Sequence, residues 1–233
     1  MEDYVNGLNC LYCKHCLLKS KLFGVLNEQE LALLDGSRME ASYKSGEIIY
    51  KQSTPLTHLV IIHDGFGKIY IEGNNDRNLI LRYTKLLELN GGIGIFIDKR
   101  HHSSLMAITD CKACFIELEA FMEVLQNNQE FHDLYLEEYS RRVQHTYHQF
   151  EVLTQKNMVG RMAEAIIYLK DGVFNNGSIK HIPKQDLAEL TAMTKESAIR
   201  VLKEFKDEGL IDITGKTIKI RDKKALQQIA QYG

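Results

Sequence analysis

No run of about 18 or more apolar residues occurs in the 233-residue chain, so the sequence offers no candidate membrane-spanning helix. The opening MEDYVNGLNC carries two acids and no apolar block and is not expected to act as a secretory signal. The G-x-S-x-G, H-E-x-x-H, P-loop and dinucleotide-glycine patterns are all missing. No nucleophile elbow, zinc-protease helix or phosphate cradle is therefore in view, and an enzyme is not expected. No exact internal repeat is visible. Cysteine is scarce and odd in number, five in all. That count suits a reducing cytoplasm with thiol or metal chemistry rather than a disulfide framework.

What is present is ordinary in bulk and uneven in detail. Hydrophobic residues make up 44% of the chain, enough for a real core, and the length suits two modest domains. Net charge is −2. Residues 155–233 hold 14 basic and 10 acidic side chains, a net of +4, which leaves −6 on the remainder. A basic C-terminal part on an acidic body is the balance of a DNA-reading module joined to a regulatory domain.

The most informative stretch is residues 182–221, IPKQDLAELTAMTKESAIRVLKEFKDEGLIDITGKTIKIR. Pro183 suits a first helical turn, and Leu187, Ala188 and Leu190 give that helix an apolar face. Residues 191–194 read as a turn. Thr194 can cap a second helix with Glu196 in its first turn. On this helix Ala198, Leu202 and Phe205 recur at i, i+4, i+7, and Glu196, Arg200 and Lys203 share the opposite face. Gly209 ends it. Residues 210–213 and 218–220 then read as two strands around Thr214-Gly215. The pattern is a winged helix-turn-helix, whose second helix fits a DNA major groove.

Upstream, residues 1–21 hold Cys10, Cys13 and Cys16 around Lys14 and His15. Spaced C-x2-C-x2-C, these thiols are open to three readings: an iron–sulfur site, zinc on three thiols with His15, or plain reduced thiols. Asn27 caps a short helix with Glu28 and Glu30 in its first turn. From about Ser42, β-rich runs at 47–50, 59–62, 68–72, 79–83, 104–108 and 113–118 alternate with turns, as in an antiparallel barrel or sandwich. A long helix follows. Leu136, Tyr139, Val143, Thr146, Phe150 and Leu153 are spaced 3, 4, 3, 4, 3 along it, an a/d seam suited to a dimer interface. Residues 157–160 read as a hinge, with the next helix over 161–170. His101 and His102 are read as surface side chains and Cys111 as a bystander.

This order of barrel, long helix and winged helix-turn-helix resembles the Crp/Fnr family of transcription regulators, that of the cAMP receptor protein and the oxygen-sensing fumarate–nitrate regulator. Three segments carry the likeness: 141–146 (RRVQHT), 159–161 (VGR) and 194–200 (TKESAIR). The resemblance implies an α+β chain. Its parts are an N-terminal Cys-containing segment (1–21), a sensor domain resembling the cyclic-nucleotide-binding jelly-roll barrel (22–130), a dimerisation helix (131–157) and a winged helix-turn-helix (158–233). It implies a cytoplasmic homodimer that binds double-stranded DNA at an inverted repeat with a TGA-like core and works with RNA polymerase. Lys195, Glu196, Ser197, Ile199, Arg200, Lys203 and Lys216 fall where the family contacts DNA, Glu196 and Arg200 at the reading positions.

The family's cyclic-nucleotide cassette falls on 91–104. The glutamate that holds the ribose and the arginine that pairs the phosphate are here Gly92 and His102. Ser103 and Ser104 remain as hydroxyl donors, and Thr146 sits where a dimer-helix threonine touches the adenine. Without charge-assisted partners the cassette is not expected to hold cAMP. Cys114 falls where the oxygen sensor has its barrel cysteine, so a [4Fe–4S] cluster on Cys10, Cys13, Cys16 and Cys114 is a further implication. The last N-terminal ligand of that sensor would fall near Lys21, a departure from the pattern. An iron–sulfur or other metal or redox sensor is the alternative function.

Overall fold

In the computed structural model of the chain, residues 20–74, 77–175 and 177–233 are described. They divide into two units. One takes the described residues up to Gly67 together with Thr84–Arg142. The other takes Lys68–Tyr83 with Val143–Gly233.

The first unit opens with helix α1, Glu28–Gly36. A capping box starts it: the Asn27 side chain accepts from the Gln29 and Glu30 amides at 2.9 Å, and the Glu30 carboxylate accepts from the Asn27 amide at 2.8 Å. Eight strands follow along the chain, β4 from Lys68 onward and β5 belonging to the second unit: β1 (Arg38–Tyr43), β2 (Ile48–Tyr50), β3 (His58–Asp64), β4 (Gly67–Ile71), β5 (Leu79–Tyr83), β6 (Leu89–Asn90), β7 (Ser104–Ala107) and β8 (Cys111–Glu117). Their sheets have the orders β1-β8-β3-β6 and β2-β7-β4-β5. The layers are jelly-roll-like, yet they do not close into the expected barrel. The terminal strands β2 and β6 have three and two residues, too short to carry a ladder round to the other sheet.

Helices α2 (Leu118–Asn127) and α3 (Gln129–Gln155) complete this unit's core. Phe131, fully buried, packs its ring 5.6 Å from Phe23 and 5.7 Å from Phe121. Leu59, Ile61 and Ile116 bring the sheet to the same cluster. His101 is not the surface side chain expected. It is 5% exposed and stacked on Tyr50 at 4.0 Å, and burial lowers its pKa to about 4.

The second unit joins the β4–β5 hairpin residues to the C-terminal helices. Helix α4 is Met158–Tyr168, continued by a π turn, Leu169–Val173. It starts three residues before Arg161, because the Asn157 side chain accepts from the Val159 and Gly160 amides at 2.9 Å and so caps it there. Then come α5 (Lys184–Leu190), α6 (Lys195–Asp207), β9 (Ile211–Thr214), β10 (Thr217–Ile220) and α7 (Lys223–Tyr232).

This unit also buries three charges. Lys68 Nζ lies 2.9 Å from Asp186 Oδ1 and 3.1 Å from Glu189 Oε2, with all three side chains at most 8% exposed. Tyr83 places its hydroxyl 3.5 Å from the other Asp186 oxygen. Burial acts to lower the Lys68 pKa but is outweighed by Asp186 and then Glu189, so it ends above the ordinary lysine value. Burial raises Asp186 despite Lys68.

Candidate nucleic-acid interface

The turn between α5 and α6 is held by its own side chains. Pro183, with φ −65°, precedes α5 as its N-cap. The Thr191 hydroxyl donates back to the Leu187 carbonyl at 2.6 Å, and Ala192 takes a left-handed φ of 51°. Thr194 caps α6 by accepting from the Ser197 amide at 3.2 Å. A left-handed φ of 74° at Gly209 then closes the helix.

Ala198, Val201, Leu202 and Phe205 turn inward on α6, each at most 2% exposed. Lys195, Glu196, Ile199, Arg200 and Lys203 are exposed, while Ser197 is half-buried against Thr194. Among the described residues no side chain pairs with Glu196, Arg200 or Lys203. A guanidinium so placed can donate two hydrogen bonds to guanine O6 and N7. A carboxylate one turn earlier can accept from cytosine N4, and an isoleucine between them can meet a thymine methyl.

The wing follows directly. Strands β9 and β10 pair antiparallel from Thr214↔Thr217 to Ile211↔Ile220. Gly215, with φ 59°, takes the left-handed position in the turn, and Lys216 stands exposed at its tip. Ile179 adds a bridge to Ile218, and Arg221 pairs with Asp212 across the base.

The a/d residues of α3 form a partly uncovered row. Leu136 and Phe150 are 46% and 62% exposed, and Tyr139, Val143, Thr146 and Leu153 are half-buried. The helix uses other positions, Phe131, Tyr135 and Val152, to pack within its own chain.

At the cassette, Gly92 has a φ of 81° and brings no side chain. His102 is exposed, with Nε2 3.0 Å from Asp98 Oδ1. Ser103 is half-buried. Ser104 is buried, its hydroxyl accepting from the Gln52 amide at 2.8 Å. Thr146 lies on α3.

Cys10, Cys13 and Cys16 lie outside the described residues. The Cys111 thiol is buried and donates to the Phe66 and Thr109 carbonyls at 3.3 and 3.2 Å. Around Cys114 stand His63, Glu40 and the Arg38 guanidinium, the last with Nη1 3.5 Å from the sulfur. The [4Fe–4S] expectation needs three thiolates besides Cys114, and those fall on the N-terminal cysteines outside the described residues. Among the described residues no helix is long and apolar enough to cross a membrane.

Two family profiles match in the order in which the structure places the parts. The cyclic nucleotide-binding domain matches residues 40–128, and the Crp-like helix-turn-helix domain matches residues 160–229. The CRP-like cAMP-activated global transcriptional regulator of Mycobacterium tuberculosis is 22% identical over 220 residues, covering 92% of this chain and 98% of that one. The cAMP-activated global transcriptional regulator CRP of Salmonella typhimurium is 25% identical over 181 residues, covering 76% and 86%. Among solved structures, FixK2 from Bradyrhizobium japonicum superposes with a TM-score of 0.75 at 16% identity, covering 82% of this chain and 96% of that one. The jelly-roll-like sheets, the long helix, the winged helix-turn-helix and the two profile matches together show that the chain belongs to the Crp/Fnr family of DNA-binding transcription regulators.

Proposed function

We propose that this cytoplasmic regulator binds an inverted-repeat operator as a homodimer, works with RNA polymerase there, and answers to an effector other than cAMP. In this reading residues 22–130 sense, 131–157 pair the subunits and 158–233 read DNA. The observation that carries it is the row on α6: Glu196, Ile199, Arg200 and Lys203 face outward while Ala198, Val201, Leu202 and Phe205 are buried. Arg200 reads a guanine and Glu196 the cytosine of a neighbouring pair, with Lys195 and Ser197 beside them. Lys216 on the wing meets phosphate. A two-fold dimer places two such helices about one turn of DNA apart.

The effector reading rests on the cassette. The relatives named above are cAMP-activated, but here Gly92 and His102 supply neither the carboxylate nor the guanidinium that such a ligand pairs with. Ser103 and Ser104 leave neutral hydroxyls for a different small molecule.

Selection from a randomised operator library at two salt concentrations tests the DNA reading. Arg200→Ala should cost about 1–3 kcal/mol and relax one guanine position. Lys216→Ala should weaken all sequences alike and reduce the salt slope by about one unit. If Arg200→Ala lowers affinity uniformly and leaves the selected sequence unchanged, Arg200 is a phosphate clamp and the assignment fails.

A further inference from the structure

The three strands β1, β8 and β3 lie side by side, and their register converges three metal-ligating side chains. Glu40 on β1 stands directly opposite Cys114 on β8. On the other side Ile61 of β3 faces Cys114, and Ile62 faces Ala113. The next paired residue is Asp64, opposite Lys112. His63 is therefore an extra residue in the ladder, a bulge, which redirects its side chain. The ligand atoms of Glu40, His63 and Cys114 all lie within 4.8 Å of one another.

The imidazole is committed to this spot. Its side chain is 3% exposed, and Nε2 is buried with no hydrogen-bond partner, its distance to Glu40 Oε2 being 3.7 Å. A buried ring nitrogen left in that condition costs about 1–3 kcal/mol unless something else satisfies it. Cys114 is also buried, whereas the Glu40 side chain is 38% exposed and opens the cluster to solvent. Bonds of about 2.0–2.3 Å to sulfur, nitrogen and oxygen in a tetrahedron set ligands about 3.4–3.6 Å apart. The His63–Glu40 distance already approaches that spacing, and the remainder asks for small side-chain shifts.

We propose that Glu40, His63 and Cys114 form a mononuclear site for a divalent zinc-class cation, with solvent completing the fourth position. Thiolate, imidazole and carboxylate together suit zinc rather than magnesium or calcium, which prefer all-oxygen shells. Arg38 is the competing cation. Its Nη1 lies 3.2 Å from Glu40 Oε2, and its Nε lies 3.3 Å from Asp35. When the metal binds, the guanidinium retreats to Asp35. The proposed ligands are all described residues, and Cys10, Cys13 and Cys16 are not among them.

Cobalt(II) serves as the probe. Full-length protein, stripped with a chelator and kept reduced without oxygen, is titrated with cobalt, and the thiolate-to-cobalt charge-transfer band is followed before zinc is added in competition. The expected result is a saturable band that zinc erases, that Cys114→Ser abolishes, and that persists when Cys10, Cys13 and Cys16 are all changed to Ser. Glu40→Gln, at a solvent-open position, should weaken cobalt by roughly ten- to a hundredfold, as much as is typical of losing even an outer-shell partner. It gives the reading should Cys114→Ser or His63→Gln fail to fold. Arg38→Gln should tighten binding. The proposal is overturned if wild-type protein gives no band at millimolar cobalt, if Glu40→Gln binds cobalt as tightly as wild type, or if the triple cysteine variant loses the band.

Discussion

Replacing Lys68 by Met should be among the most damaging single changes in the second unit. Methionine keeps most of the aliphatic stem, so the cavity left behind is small. What disappears is the cation 2.9 Å from Asp186 and 3.1 Å from Glu189. The two carboxylates remain at most 8% exposed on one face of α5, three residues apart. Removing one partner of a buried ion pair costs about 3–5 kcal/mol, because the other charge is stranded out of water. Part of that loss is escapable by protonation. Asp186 already sits above its ordinary pKa because burial outweighs Lys68, and without Lys68 it rises further. A carboxyl whose folded pKa exceeds its unfolded value contributes full stability below the unfolded value and loses it as pH rises through the folded one. The deficit of Lys68→Met should therefore be full at pH 7 and smaller at pH 5. Urea unfolding followed by circular dichroism at both pH values measures it. A triple change, Lys68→Met with Asp186→Leu and Glu189→Gln, should recover most of the stability, since apolar packing can replace a buried pair. A loss under about 1 kcal/mol at pH 7, or an equal loss at both pH values, would show that the charges are solvated and that the reasoning is wrong.

Three further outcomes are expected. Phe150→Asp or Val143→Asp should give monomers in sedimentation, and a variant still dimeric at micromolar concentration would mean the seam lies elsewhere on α3. Calorimetry with millimolar cAMP should show no specific heat, and a micromolar dissociation constant would defeat the reading of Gly92 and His102. His101 has its folded pKa lowered by burial from 6.5 to about 4, so its contribution is present above the unfolded value and is lost as pH falls from 6.5 through about 4. His101→Phe keeps a ring against Tyr50 without the ionisation and should flatten urea stability over that window; parallel curves for the two proteins would contradict this.

Local chemistry made helix α6 readable in advance. Thr194, the Ala198–Leu202–Phe205 stripe and Gly209 act within a few residues of one another, and the structure shows each in that role. The Asn27 cap was visible for the same reason. Signals fail where the cause is distant or absent. Strand β1 hides because none of its residues is buried, each being exposed or half-buried, so no apolar alternation marks it. Helix α2 runs straight on from β8, and Glu117 makes no side-chain cap. His101 looks polar until Tyr50, 51 positions earlier, is brought against it. Asp186 and Glu189 show their helical spacing, but nothing in α5 announces a lysine 118 residues away. The Glu40–His63–Cys114 cluster depends on strand register and a bulge, neither of which a single strand's sequence fixes.

If the apolar row that α3 leaves uncovered at Leu136 and Phe150 is the seam of the proposed dimer, the regulator has a second input, its own abundance. With a second copy on that row, the species that grips both half-sites is a dimer. Below the dimer dissociation constant its concentration follows the square of the subunit concentration by mass action, so doubling expression raises it about fourfold. Promoters with weak operators then respond more steeply to gene dosage than to small changes in effector. On the proposed reading, a subunit that keeps α3 but loses Arg200 should silence its wild-type neighbours, because each mixed pair would read only half an operator.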